Sequence, residues 1–224
     1  MNDGFFLDTY DSGVGSTIVF THGWTDNRNA WDGVIANLND HARCIAWSIR
    51  GHGESFAPPP GHYTRDHTLS DLKAITERSE EKVILAGHSL GGYLSLAHSL
   101  LYPEDVEALI LVGAGPGFRK RESIDQWNSS VIESAKKLDL PEGSEATALH
   151  TDAWVIDSLS EIKVPTLVIV GEHDKRFRAS MSVFEKYLNV KTSVVVEDAG
   201  HSVHRKKPLE VANAIKDFLG EISQ

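Results

Sequence analysis

Three residue types that together could break an acyl bond stand far apart along this 224-residue chain. Ser89 lies in Gly87-His88-Ser89-Leu90-Gly91-Gly92, Asp174 closes Gly171-Glu172-His173-Asp174, and His201 ends Ala199-Gly200-His201. A serine hydroxyl is a poor nucleophile at neutral pH: it needs a base to take its proton, and that base needs an acid to orient it. The apolar run Val83-Ile84-Leu85-Ala86 precedes the serine, and Tyr93 to Leu101 follows with helical periodicity. The chain therefore turns from strand to helix at a G-x-S-x-G nucleophile elbow. Such a turn strains the serine backbone, and Gly87 and Gly91 are required because side chains there would collide with the neighbouring strand and helix. The helix N-terminus leaves backbone N–H groups open to developing negative charge. For the acid, Asp198 rivals Asp174; for the base, His173 and His204 rival His201.

These side chains can meet only if the elements between them bring loops to one end of a sheet. Apolar runs at Thr17–Phe20, Arg43–Trp47, Val83–Ala86, Val106–Val112, Thr166–Val170 and Thr192–Val196 read as strands, most of them buried on both faces. Between them, helical spacing covers Trp31–Leu38, Leu69–Arg78 with Thr68 or Ser70 as cap, Tyr93–Leu101, Ala179–Tyr187 and Pro208–Leu219. Phe5–Tyr10 reads as an edge strand followed by a hairpin turn over Asp11–Gly15. The alternation predicts an α/β fold: a doubly wound, mostly parallel sheet of about eight strands with helices on both faces. Ligands of such sheets bind beyond the carboxyl ends of the strands, where the elbow and the loops carrying Asp174 and His201 all lie. Residues 118–160 are polar, with one strong helical stretch from Ser123 to Leu138 and no run fit for a central strand. They read as a short helical cap insertion that divides a core of 1–117 and 161–224.

A net charge of −10 disfavours nucleic acid and anionic membranes as partners. No segment approaches the ~20 apolar residues of a membrane span, and the N-terminus has no basic, apolar leader, so a cytoplasmic protein is expected. Cys44, the single cysteine, falls in a strand and reads as a buried, inert thiol. His201-x-x-His204 lacks a third ligand cluster, and no metal is expected. Arg50-Gly51-His52-Gly53-Glu54-Ser55 is not followed by the Gly-Lys-Ser/Thr of a phosphate loop and reads as a brace for the site.

Taken together, His22-Gly23-Trp24, Arg50 to Ser55, the elbow, Val164-Pro165-Thr166-Leu167, Gly171 to Asp174 and Ala199 to His201 resemble the α/β-hydrolase fold superfamily, nearly end to end. The resemblance implies Ser89 as nucleophile, His201 as base and Asp174 as acid, with the backbone N–H groups of Trp24 and Leu90 as an oxyanion hole. It implies no metal or organic cofactor. Relatives that open epoxides or carbon–halogen bonds carry aspartate at the elbow, so Ser89 argues against both reactions. One departure is Ser48, where relatives commonly have aspartate, which removes a possible salt bridge from the bracing loop.

The cap is short by the standard of relatives, with room for one long helix and one or two small ones, which implies an open site. Trp127 on its apolar stripe is a candidate acyl-pocket residue. Arg119, in the basic cluster Arg119-Lys120-Arg121, is a candidate for binding a substrate carboxylate. The expected function is a serine hydrolase of a small ester, thioester or lactone, or of a carbon–carbon bond next to a ketone. The alternatives are a ligand-binding or sensor protein on the same scaffold and a cofactor-free perhydrolase. The expected partner is a small acyl molecule, with the protein a monomer or homodimer.

Overall fold

Alternating buried runs make the sheet. The computed structural model describes residues 5–223. Its strands are β1 (Thr9–Ser12), β2 (Thr17–Thr21), β3 (Arg43–Trp47), β4 (Val83–His88), β5 (Val106–Val112), β6 (Pro165–Gly171) and β7 (Asn189–Val196). They form one sheet in the order β1-β3-β2-β4-β5-β6-β7, parallel except for β1 against β3. Seven strands are present among the described residues rather than about eight. The expected hairpin is also absent: β1 pairs with β3, not with β2, so Asp11–Gly15 leads the chain past β3 to the next position in the sheet. The edge strand itself covers Thr9–Ser12 rather than Phe5–Tyr10, starting four residues later than expected.

The helices are α1 (Asp32–Ile35), α2 (Arg65–Thr76), α3 (Leu90–Leu101), α4 (Arg121–Ala135), α5 (Trp154–Ser158), α6 (Arg178–Tyr187), α7 (Val203–Lys206) and α8 (Pro208–Ile222). Strand residues alternate between two cores, one on each face. Val83, Leu85, Leu109 and Leu111 pack with Leu72, Ile75, Leu94 and Phe184 of α2, α3 and α6. Ile84, Ala86, Ile110 and Val112 pack with Val34, Val211, Ile215 and Phe218 of α1 and α8. Helix α2 begins four residues before the expected start: Thr64, not Thr68 or Ser70, caps it by accepting from the His67 N–H, while Thr68 is buried. Between residues 118 and 160 the chain adds α4, a 3-10 turn at Ser144–Ala148 and α5, and no strand.

A buried ion pair locks the loop after β3. Arg50 donates from Nε and Nη2 to both carboxylate oxygens of Asp71 on α2 at 2.7 Å each, and from Nη1 to the His62 carbonyl at 2.7 Å. The two side chains are 1% and 0% exposed, so removing one partner strands a charge away from water. Asp71→Ala should cost about 3–5 kcal/mol in chemical denaturation, a loss that would be absent if the pair were dispensable. The Ser48 departure is compensated from elsewhere in the chain. Ser48 Oγ donates to Asp8 (3.0 Å), and Asp8 pairs with Arg28 (2.7 Å), so the acid comes from the N-terminal segment instead of position 48.

Candidate active site

Ser89 is the sole residue between the end of β4 at His88 and the start of α3 at Leu90. Its φ of 51° and ψ of −112° are a strained combination for a residue with a side chain. The other non-glycine residues with positive φ among the described residues are Thr25, in the loop after β2, and Asp198, in the loop after β7. The turn is possible only with glycine behind it: a Cβ on Gly91 would run into the carbonyl oxygen of Thr21 on β2.

The loops after β6 and β7 bring acid and base together. His201 Nδ1 lies 2.8 Å from Asp174 Oδ2. Because the carboxylate only accepts, Nδ1 carries the proton and Nε2 keeps its lone pair. Asp174 is buried (3% exposed), whereas Asp198 is an exposed turn residue whose N–H donates to Glu172 Oε2 at 3.2 Å. Burial works to raise the Asp174 carboxyl. The hydrogen bond to His201, the imidazole's charge, and the N–H groups of Phe177 and Arg176 outweigh it and hold the group below the usual carboxylate range. Gly113 at the end of β5 leaves room for the pair: a Cβ there would lie 3.2 Å from Asp174 Oδ2 and 3.3 Å from His201 Nδ1. Phe177 stacks on the His201 ring, centroids 4.9 Å apart and planes 18° from parallel.

Two further imidazoles fix the surrounding backbone. His22 accepts from the Ile49 N–H at Nε2 (2.9 Å) and so donates from Nδ1 to the Gly23 carbonyl (2.7 Å), which shapes the loop that presents Trp24. His88 Nε2 lies 3.0 Å from the carbonyl oxygen of His201 and must donate to it. His204, the rival base, is fully buried between Trp31 and His88, with ring centroids 4.6 and 4.1 Å away. His173 is exposed, and its nearest carboxylate is Glu172. The Leu90 N–H lies in the first turn of α3, which has no side-chain cap, and the Trp24 N–H has no acceptor among the described residues.

Burial keeps this histidine cluster neutral. His22 and His88 are pushed down to about 3, each first by burial; the neighbouring imidazoles His52 and His201 respectively add to this. Burial likewise lowers His204 and His52. An unfolded chain protonates these groups near their ordinary 6.5, while the folded chain binds the protons only well below that. Their contribution to stability is therefore complete above pH 6.5 and declines as pH falls toward 3. In this window each imidazole that is charged only in the unfolded chain costs about a factor of ten in the folding equilibrium per pH unit. Urea unfolding at pH 7.5 and 5.5 should show a much lower midpoint at the acidic value; an unchanged midpoint would contradict this account.

A cavity of about 760 Å³ opens over these groups, lined by Trp24, Ser89, Leu90 and His201 on the sheet side and by Phe118, Trp127 and His150 from the 118–160 stretch. Trp127 is on the cavity wall, with its indole N–H donating to the Ala148 carbonyl (2.8 Å). Arg119 does not line the cavity. Its guanidinium pairs with Asp157 (2.7 Å), donates to the Ile156 carbonyl (3.0 Å) and lies over the Tyr187 ring. An acidic neighbour within the same segment has taken it up. Arg176, Phe177 and His150 line the cavity without having been singled out. The first two stand two and three positions after the acid, so their spacing from Asp174 was available as a signal; His150 lies in a polar stretch without a motif. One group with metal-ligand spacing, exposed Glu172, His173 and Asp198, has donor atoms within 4.8 Å of one another, outside the cavity lining. No helix among the described residues is long and apolar enough to cross a membrane.

Known proteins share this arrangement of elements. A family model described as alpha/beta hydrolase fold matches residues 16–138. A Bacillus subtilis (strain 168) protein provisionally named 2-succinyl-6-hydroxy-2,4-cyclohexadiene-1-carboxylate synthase is 27% identical over 268 aligned positions, covering 99% of this chain and 97% of the relative. That alignment is longer than this chain, so the relative has residues without a counterpart here. The 2-hydroxymuconate semialdehyde hydrolase of Pseudomonas sp. (strain CF600) is 32% identical over 179 positions, 76% of this chain and 61% of the relative. Among solved structures, a thermophilic esterase from Thermogutta terrifontis, with malate bound, superposes with a TM-score of 0.83 at 25% identity, covering 98% of this chain and 95% of that one.

Proposed function

Because this chain belongs to the α/β-hydrolase fold family and is an enzyme of that family, we propose that it is a serine hydrolase working through an acyl-enzyme on Ser89. The substrate is a small carboxylic ester, thioester or lactone, or a ketone whose neighbouring carbon–carbon bond is cleaved. The observation that carries the reading is the 2.8 Å contact between His201 Nδ1 and Asp174 Oδ2, in a cavity shared by His201 with strained Ser89. In the first half-reaction Ser89 Oγ attacks the acyl carbon as His201 Nε2 takes the hydroxyl proton, and Asp174 stabilises the resulting imidazolium. The N–H groups of Trp24 and Leu90 receive the negative charge on the former carbonyl oxygen. As the leaving group departs it accepts the proton from His201. Water then adds to the acyl-enzyme, giving a proton to the same nitrogen, and Ser89 leaves with it as the acid is released.

The stretch 118–160 serves as a reduced cap over this centre; the Phe118, Trp127 and His150 side chains on the cavity wall support that role. A semialdehyde hydrolase among the relatives justifies testing carbon–carbon substrates beside esters. The direct test is turnover by the purified protein of 4-nitrophenyl acetate, a γ-lactone and a vinylogous diketone. Hydrolysis of at least one above background is expected, and no turnover of any of them would overturn the proposal.

A further inference from the structure

Two side chains on the cap side of the cavity have no role in the chemistry above and, among the described residues, no hydrogen-bond or carboxylate partner for their polar atoms. Seven of the chain's arginines, including Arg205 (2.9 Å from Asp26), Arg65 and Arg119, are paired with a carboxylate. Arg176 is the one arginine of the cavity lining that pairs with no carboxylate among the described residues, in a protein with net charge −10. Its main-chain N–H is engaged with Asp174, which anchors it, and its guanidinium lies over the Trp127 indole with Cζ 5.4 Å from the ring centroid. A guanidinium held over an aromatic face by its charge keeps its N–H donors available for planar, bidentate recognition.

His150 stands against the same indole, with centroids 5.8 Å apart. It is 9% exposed and Nδ1 is buried without a hydrogen-bond partner, yet the residue is held firmly. Its main-chain N–H and carbonyl are both bound by the Asn128 amide (2.9 and 2.8 Å), and Tyr93 and Phe118 meet the ring edge-on at 4.5 and 5.3 Å. Burial first, and then the charge of Arg65, push it down to about 4, so at neutral pH it is an uncharged ring with one N–H to give. Nδ1 is closed off within the wall, so the ring nitrogen left to meet a ligand oxygen is Nε2, and the neutral ring can carry its proton there. The only carboxylate among the lining residues, Asp26, is already neutralised by Arg205, so the lining carries a net positive charge.

We propose that His150, Trp127 and Arg176 form a subsite for a free carboxylate on the acyl part of the substrate, with Arg176 gripping the carboxylate and His150 donating a hydrogen bond to it. This deepens the hydrolase reading and rests on it, since the subsite faces the cavity of Ser89. The hydrolase therefore prefers half-esters or thioesters of short dicarboxylic acids over neutral acyl groups of the same length.

The test compares 4-nitrophenyl hydrogen glutarate with 4-nitrophenyl pentanoate, which differ chiefly in the terminal carboxylate. The wild-type kcat/KM ratio should favour the glutarate ester by at least about tenfold. It should fall close to unity in Arg176→Gln and drop several-fold in His150→Phe, mainly through KM. Any general damage to the centre cancels within each ratio, so a weakened variant remains informative. Calorimetric titration with glutarate gives a readout that needs no turnover: wild type should bind it, and Arg176→Gln should bind at least about tenfold more weakly. Loss of turnover on every ester with glutarate binding still dependent on Arg176 would count against the hydrolase reading alone. A wild-type ratio at or below unity, or glutarate binding unchanged by Arg176→Gln, would overturn the subsite.

Discussion

Ser89→Ala is expected to lower kcat on 4-nitrophenyl acetate by about 10⁶-fold while the protein remains folded. The hydroxyl is the bond-forming group, and alanine removes it with almost no change in volume at a position already strained by φ 51°. The binding surfaces and the proposed oxyanion donors at Trp24 and Leu90 would survive, so residual catalysis of about 10³-fold over water would remain. Removing one hydroxyl should not change the denaturation midpoint by more than a small amount. Steady-state rates with circular dichroism on the same preparation decide the matter: a variant that folds normally and keeps more than a few per cent of wild-type turnover would rule out Ser89 as nucleophile.

Asp174→Asn should cost about 10⁴-fold in kcat, with little change in KM. The wild-type carboxylate accepts from His201 Nδ1 at 2.8 Å and so leaves the lone pair on Nε2. An amide at 174 can donate to Nδ1 instead, which moves the ring proton to Nε2 and removes the base. Asp198→Asn supplies the contrast. Asp198 is exposed, lies at φ 53° where asparagine is well tolerated, and makes its contact through its own backbone N–H to Glu172. Its substitution should leave kcat within about twofold of wild type, because a side chain that touches no reacting group has no tautomer to set. Equal losses at the two positions would show that the sequence rivalry between these acids was resolved wrongly.

What the sequence disclosed follows from which forces act locally. The elbow was legible because steric exclusion at Gly87, where a Cβ would meet the Gly91 carbonyl, acts between near neighbours in the chain, and the loops at Asp174 and His201 follow apolar runs that form strands, buried in β6 and half-exposed in β7. The pairing of β1 was not legible. Its residues Thr9–Ser12 are polar and half exposed, so no apolar rhythm marks them, and their partner β3 is chosen across more than thirty positions of chain. The start of α2 was missed because its first turn, Arg65-Asp66-His67, is polar and only the cap at Thr64 announces it. Charged residues gave the poorest guidance at the site. Arg119 and Arg176 look alike in sequence, and only the fold reveals that Asp157 occupies the first while the second faces the cavity. His150 carried no signal, since its burial depends on Tyr93, Phe118 and Trp127 arriving from three different segments.

Covalent capture by a fluorophosphonate, followed by peptide mapping, tests the central claim most directly, because only a serine activated by a neighbouring base in a prepared oxyanion site reacts with it readily. The account predicts one equivalent of phosphonate per chain, located on the peptide that contains Ser89 and lost in Asp174→Asn on the same time scale. A protein that remains unmodified even at raised pH, or that carries the adduct elsewhere with Ser89 untouched, would contradict it and leave the scaffold with a binding role.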